Sequence, residues 1–470
     1  MRLPAQARRN PRPHGGRARP CALRRQNALI VTGEGPLNAT SEGEKSQVKV
    51  LLVGGGGREH ALGWKIAQSP LLTRLFVAPG NPGLKPLGEL LAIGADDVEG
   101  LVSAARANSI DLVVIGPEAP LALGLGDRLR AAGVPCFGPG RAAARLESSK
   151  AFMKDVATRA GAPTAAFGRF REASAGKAFL DRMTAPYVIK ADGLAAGKGV
   201  IIAATRREAN AAIDDMLSGR FGHAGSEIVI EEFMSGEEAS CFVLTDGESV
   251  LPLAAAQDHK RAFDGDKGPN TGGMGACSPA PVFTPRVEEE TLARIVRPVL
   301  QQMREDGAPY TGVLFAGLMI DERGPRLVEF NARFGDPECQ PIMMRLKSDL
   351  LPLLEATIDG QLNQVEAEWY ADPAVCVVLT AAGYPGAYDK GKEIHGLEKL
   401  ASWQQGCVFH AGPAKENHRW LTAGGRVLGV TARGKSVADA VTEVYRAVGE
   451  ISWAGMHYRK DIARRALPNS

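Results

Sequence analysis

Several short stretches of this chain put residues capable of chemistry at telling spacings. LVEFNARFGDPE, Leu327 to Glu338, sets Glu329 and Asn331 two apart on a predicted strand, so both side chains share one face. Val328 and Phe330 are expected to alternate inward. Two oxygen donors so placed suit Mg²⁺, which takes one or two carboxylates and leaves the rest of its shell to phosphate oxygens and water. KADGLAAGKGVIIA, Lys190 to Ala203, is glycine-rich and carries lysines. A P-loop reads G-x-x-x-x-G-K-[ST], with a hydroxyl after the lysine for Mg²⁺. Here Gly193-x-x-x-Gly197-Lys198 is one residue short, and Gly199 stands in the hydroxyl's place. Alone, the loop is equally a phosphate cradle or a surface turn.

IVIEEFMSGEEAS, Ile228 to Ser240, ends a predicted strand in two carboxylates and follows a turn with two more. It reads as a solvated acidic turn, or as an adenine hinge in which backbone groups near Phe233 meet the base edge and a later carboxylate holds ribose. GGGGREH, Gly54 to His60, follows the first strand but is not a dinucleotide fingerprint. Counted from Gly54 the third glycine is Glu59, counted from Gly55 it is His60, and the sugar-binding acid expected ~20 residues on, after the second strand, is missing. Free N–H groups at that helix start can still receive a phosphate, with Arg58 adding charge. PGNPG (79–83) and GPEAPL (116–121) follow other strands of the same sheet, where open α/β sheets bind ligands. QDHKRAFDGDKGPNTGGMGACSP, Gln257 to Pro279, is polar and glycine-rich, and a structureless loop of that length is usually functional. His259 in it is either a general base or, more commonly for a lone loop histidine, a surface residue.

The elements that must position these groups are legible from periodicity. VKVLLVGG, LTRLFVAPG, IDLVVIGPE and VPCFGPG alternate with helical patterns and predict a doubly wound parallel sheet over 48–148. Ser148 or Ser149 caps a helix with an apolar stripe of Phe152, Met153, Val156 and Ala157, stopped by Gly161 and Pro163. APYVIKAD, GVIIAAT and EIVIEEF predict antiparallel strands with one helix, a small α+β unit over 165–235. LFAGLMID and PRLVEFN predict a hairpin turning at Glu322-Arg323-Gly324. From 373 short strands and a final helix form a small C-terminal α+β domain, leaving 149–372 as the central one. The fold class is α/β and α+β multidomain.

At 470 residues, with 23 % charged and 44 % hydrophobic, the chain reads as a soluble protein of several domains. Its net charge of +3 owes much to arginines that precede the first acid, Glu34. The rest is mildly acidic, which excludes a nucleic-acid surface. Seven scattered cysteines without C-x-x-C argue against a disulfide framework or zinc cage and for a reducing compartment. No apolar run approaches the ~20 residues of a membrane helix. Residues 1–47 form an Arg-rich leader with little to fold, read as a transit peptide, a disordered basic arm, or upstream sequence before a start at Val31 or Val48.

Taken together, GGREHAL, VAPGN, GPEAPL, SSKAFMKD, IKADGLAAGKGV, EEFMSGEEAS, QDHKR, GPNTGGMGA, EFNARFGDPE and GMHYRKDI resemble the ATP-grasp superfamily and, within it, the phosphoribosylamine–glycine ligase (glycinamide ribonucleotide synthetase) family. The likeness runs from Val48 nearly to the C-terminus. It implies an ATP-grasp core over 149–372 with a lid at 165–235, and a Mg²⁺- or Mn²⁺-dependent cytoplasmic ligase of purine biosynthesis. That enzyme would join glycine to 5-phosphoribosylamine through glycyl phosphate, as a monomer without nucleic-acid or membrane partners. Carried over residue by residue, Lys150 and Lys190 would meet ATP phosphates under a closing loop with Gly197 and Lys198. Glu231, Glu232 and Phe233 would meet adenine, and Glu238 the ribose. Glu329 and Asn331 would hold the metal, with Gly317 where many relatives have a further acid. Gly57, Arg58, Glu59, Asn81, Glu118, Asp258, Arg333 and Asp336 are the candidates for the other substrates, with Arg333 and Lys190 acting in catalysis. A different ATP-grasp ligase or carboxylase and a non-catalytic nucleotide binder are the alternatives. RFGDPE and NTGGMGA speak against the first, and the presence of Glu329 and Lys190 against the second.

Overall fold

The computed structural model describes residues 47–194, 199–220 and 225–467. The Arg-rich leader and the loop tip with Gly197 and Lys198 lie outside them. The expected parallel sheet is present, with five strands in the order Glu89–Leu90, Leu72–Pro79, Val48–Gly54, Leu112–Ile115, Cys136–Phe137. Strand order reverses between Val48–Gly54 and Leu112–Ile115, so the loops leaving their carboxyl ends flank the crevice where such sheets bind ligands. Val50 and Leu52 enter one core, Leu51 and Val53 another. Burial on both faces is why this strand reads as an unbroken apolar run.

The unit over 165–235 is an antiparallel sheet ordered Phe167–Phe170, Ile228–Glu232, Tyr187–Ala191, Val200–Ala203. It has its own core, including Ile189, Ile213, Ile228 and Ile230. Its helix, Arg206–Asp215, starts at a capping box made by Thr205 and Glu208. The central sheet runs Val250–Pro252, Glu237–Thr245, Gly312–Asp321, Gly324–Asn331. Its last two strands make the expected hairpin, with Asp321 opposite Gly324.

Two expectations need correction. The stretch 257–279 is not structureless. It forms the strands Gln257–Asp258, Arg261–Phe263, Lys267–Asn270 and Gly275–Ser278. The outer two join the C-terminal sheet beside Ala374–Thr380, and the inner two pair as a hairpin. What holds them comes from far along the chain. Met274 and Cys277 pack among Val375, Val377 and Leu379. The tail HYRKD grips the hairpin, with His457 Nε2 2.9 Å from the Ala262 carbonyl, Gly265 N–H donating to Asp461 at 2.8 Å, and Arg459 bound to both Asp266 and Asp461. Nor does Val328 turn inward. Gly317 pairs with Glu329 and Leu318 with Leu327, so Val328 is the extra residue of a β-bulge. Leu327 and Phe330 hold the core, while Val328 and Glu329 are half-buried.

Candidate functional site

A cleft of about 770 Å³ runs between the lid sheet, the Gly324–Asn331 strand and the switch point of the parallel sheet. Its lid end is apolar. Leu194, Ile202 and Phe233 are exposed there at 39 %, 40 % and 43 %, beside Val188, Met319 and Val328. Large apolar side chains left in solvent on facing walls make a slot for a flat ring.

Next along the cleft come the lysines. Ser149 caps the Lys150–Arg159 helix by accepting from Phe152 N–H, and Asp192 accepts from Ala151 N–H at 3.0 Å. Lys150 is thus fixed at the helix start, and its Nζ donates to the Gly193 carbonyl at 3.2 Å. Lys190, on the lid strand, is 4 % exposed; its Nζ lies 3.0 Å from Glu231 Oε1 and 3.5 Å from the Val328 carbonyl at the bulge. Opposite lies Glu329. Among the described residues no hydrogen bond or ion pair occupies its carboxylate or the Asn331 amide. Burial raises the Glu329 pKa, but Lys260, Lys190, Lys150 and Arg333 outweigh it and hold the carboxylate below its usual range. An ionised carboxylate and an amide oxygen, both unengaged and facing the cleft, are hard oxygen donors that fit Mg²⁺. Gly317 stands beside Glu329, as expected for the missing further acid.

The far end is dense in charge. The loop after Val48–Gly54 brings Arg58, whose Nε donates to Glu59 at 2.6 Å and Nη1 to the Phe334 carbonyl at 3.1 Å. Arg333 spans Glu147 at 2.8 Å and Glu118 at 3.3 Å. Burial raises the Glu118 pKa, but Arg333 and Arg58 bring it down overall. Asp336 accepts from Gln340 at 2.8 Å and pairs with Arg426 at 3.3 Å; burial opposes its ionisation, yet Arg426 and Arg58 keep it ionised. Across the cleft Lys260 pairs with Glu238 at 2.8 Å and lies 3.9 Å from Asp258. Burial, with the neighbouring Glu338, Glu238 and Glu329, pushes the Asp258 carboxyl up to about 8 despite Lys260.

Most of the anticipated residues therefore meet in one cleft: Arg58, Glu59, Glu118, Lys150, Lys190, Glu231, Glu232, Phe233, Glu238, Asp258, Glu329, Asn331, Arg333 and Asp336 all line it. Several do other work than expected. The Glu231 carboxylate is 2 % exposed and held by Lys154 and Lys190, which leaves its backbone rather than its side chain at the cleft. Glu232 pairs with Arg326 at 2.9 Å and ties the lid to the central hairpin. Glu238 is engaged by Lys260. Glu59 accepts from Gly56 N–H at 2.6 Å and closes its own helix start; it packs where a side chain on Gly54, at φ +118, would sit. Asn81 does not reach the cleft wall; its amide donates to the carbonyls of Gly55 and His410 at 2.9 and 2.8 Å, which seals it in a seam. Gly57 is absent from the wall too, facing Gln340. His259 is buried, its Nε2 receiving Ala463 N–H at 3.3 Å, and burial lowers its pKa to about 4. Lys154, Glu147, Tyr384 and Arg426 went unforeseen. The sequence signal for Arg426 is a charged residue opening a strand whose next four residues are apolar or glycine, before Thr431, and for Lys154 its place four residues after Lys150.

Three family models match in succession: the N domain of phosphoribosylglycinamide synthetase over 48–147, its ATP-grasp (A) domain over 148–339, and its C domain over 374–465. The chain is 55 % identical over 420 residues to the phosphoribosylamine–glycine ligase of Rhizobium meliloti (strain 1021), covering 89 % of this chain and 99 % of that one. A crystal structure of phosphoribosylamine–glycine ligase from Thermotoga maritima is similar at TM-score 0.77 and 31 % identity, over 88 % of this chain and all of that one. The biotin carboxylase domain of Hydrogenobacter thermophilus 2-oxoglutarate carboxylase, in complex with MgADP, shares the fold at TM-score 0.67 and 17 % identity, over 87 % of this chain and 92 % of that one.

Proposed function

The chain belongs to the phosphoribosylglycinamide synthetase family and is an ATP-dependent ligase of the second step of purine biosynthesis; from that premise we propose how its cleft divides the work. Adenine enters the apolar slot under Phe233, against the backbone of Glu231 to Met234. Lys150 and Lys190 meet the phosphates, and Glu238, once Lys260 shares it, the ribose. Glycine and 5-phosphoribosylamine occupy the end built by Arg58, Glu118, Asp258, Arg333 and Asp336.

A glycine carboxylate oxygen forms a bond to the γ-phosphorus as the bond to the ADP oxygen breaks, giving glycyl phosphate. The amine of 5-phosphoribosylamine then bonds to the acyl carbon, phosphate departs, and the nitrogen loses one proton. Protein side chains form no covalent bond in either step. Their contribution is alignment and charge, which in phosphoryl transfer carries most of the acceleration. Arg333, braced by Glu147 and Glu118, is fixed in direction before substrate arrives. Glu329 and Asn331 hold Mg²⁺, or Mn²⁺ in its place. When bound, the metal neutralises negative charge on the phosphoryl oxygens.

The observation that carries this reading is the unengaged, ionised Glu329 between the two lysines and Arg333. Six free cysteines among the described residues suit a reducing cytoplasm. No helix among them is long and apolar enough to cross a membrane. The test is ADP release by purified protein with Mg²⁺-ATP. It should require both glycine and freshly made 5-phosphoribosylamine, and equal turnover with formate or bicarbonate in place of glycine would assign another reaction.

A further inference from the structure

Lys154 follows Lys150 by one helical turn, on the same face of the Lys150–Arg159 helix. Lys150 reaches the cleft. Lys154 turns inward and its side chain is 0 % exposed. A buried ammonium is unfavourable unless its donors are met; burial lowers the Lys154 pKa to about 8, with Glu231 pulling the other way. Its Nζ lies 3.1 Å from Glu231 Oε2 and donates to Thr164 Oγ1 at 2.8 Å. Thr164 in turn spends its own proton on the Leu327 carbonyl at 2.7 Å, which leaves a lone pair aimed at Lys154. The ammonium also sits 5.3 Å from the centre of the Phe167 ring. Helix, lid sheet and the Gly324–Asn331 strand are thereby joined at one point.

Glu231 is shared between two cations. Oε2 lies 3.1 Å from Lys154 and Oε1 3.0 Å from Lys190, two ion pairs of nearly equal length on one carboxylate. One negative charge against two positive ones leaves one positive charge over, and only Lys190 of the pair borders the cleft. We infer that Lys154 is a positioning residue for the nucleotide: by claiming half of Glu231 it prevents Lys190 from closing into a neutral pair and keeps that ammonium available to an anion in the cleft. Without Lys154, Glu231 and Lys190 would satisfy each other, and the cleft would lose a full positive charge. The inference rests on the reading that Lys190 meets ATP phosphates.

The test is ADP binding by calorimetry, with steady-state kinetics, on the full-length enzyme. Lys154→Met preserves length and apolar bulk. Its Kd for ADP and KM for ATP should rise at least tenfold, with KM for glycine within twofold of wild type. Lys154→Met/Glu231→Gln removes both charges, leaves Lys190 unpaired, and should return Kd to within threefold of wild type. A merely structural lysine would lower the melting temperature and leave Kd unchanged. Lys190→Met separates the two levels of reading. If it weakens ADP binding and Lys154→Met does not, the inference about Lys154 falls and the assignment of Lys190 stands. If Lys190→Met binds ADP like wild type, the assignment of Lys190 falls and the inference with it. Should Lys154→Met fail to fold, the double variant decides alone, since a Kd raised tenfold with Lys190 intact and unpaired overturns the inference.

Discussion

Replacing Glu329 by Gln changes one atom and one charge, and the structure sets the two consequences far apart. The carboxylate has no hydrogen bond or ion pair among the described residues to lose, and Gln fills the same volume. Lys260, Lys190, Lys150 and Arg333 favour the ionised carboxylate in the fold, so losing its charge should lower stability modestly, by about 1 kcal/mol. Turnover should not be spared. Four cations, from Lys260, Lys190, Lys150 and Arg333, hold this group ionised, and an amide is a far weaker ligand for a hard cation. Losing one preorganised electrostatic contact to a transferring group costs on the order of 10²–10³ in kcat, about 2.7–4 kcal/mol. Two measurements separate this from a general defect. Melting temperature should fall by only a few degrees, while glycine-dependent ADP release falls at least a hundredfold. Metal-free ADP should bind as well as to wild type or better, because a negative charge beside the phosphates is gone, while the gain on adding Mg²⁺ disappears. Near-normal turnover at saturating Mg²⁺, or an undiminished Mg²⁺ effect on ADP binding, would remove Glu329 from the metal site.

Three further outcomes follow from the packing. His60, His259 and His410 are buried and kept neutral, with pKa values lowered chiefly by burial to about 3, 4 and 4. Because these bases bind protons more weakly folded than unfolded, their contribution is complete above about pH 6.5 and is lost as pH falls toward 4, so unfolding at pH 5 should take up about three protons from this set; a urea midpoint unchanged between pH 7 and pH 5 would refute it. Arg459→Met should cost roughly 3 kcal/mol, at the low end for a broken buried pair because Asp266 keeps Arg465 and is 40 % exposed; chemical denaturation measures it, and a loss below 1 kcal/mol would show that the hairpin needs no grip from the tail. Gly55→Ala would set a Cβ 2.5 Å from the Gly80 carbonyl oxygen, a backbone atom that cannot step aside; a loss of about 1–3 kcal/mol and of activity is expected, and a wild-type urea midpoint would refute the close approach.

What could be read beforehand depended on how far apart the causes lie. The Val48–Gly54 strand carries its own evidence, because double burial demands an apolar run and a glycine loop must follow. The Glu329–Asn331 pair was legible for the same local reason, although the bulge at Val328 was not. A bulge is a property of two strands in register, and neither strand states it alone. Asp258 stands at the cleft because its strand pairs with Gly275–Ser278, which in turn joins the distant Ala374–Thr380 strand, and the tail holds the hairpin that follows Lys260. Lys154 shows the limit most clearly. On composition a helical lysine beside Phe152 belongs to the solvent face, and its place one turn after Lys150 is the only local sign to the contrary. Its burial is written in Glu231, Thr164 and Leu327, on three other segments, and its charge makes sense only once Lys190 is seen across the same carboxylate. Apolar periodicity reports which residues leave water. It does not report how buried charges are shared, and here that sharing leaves Lys154 inside and Lys190 at the cleft.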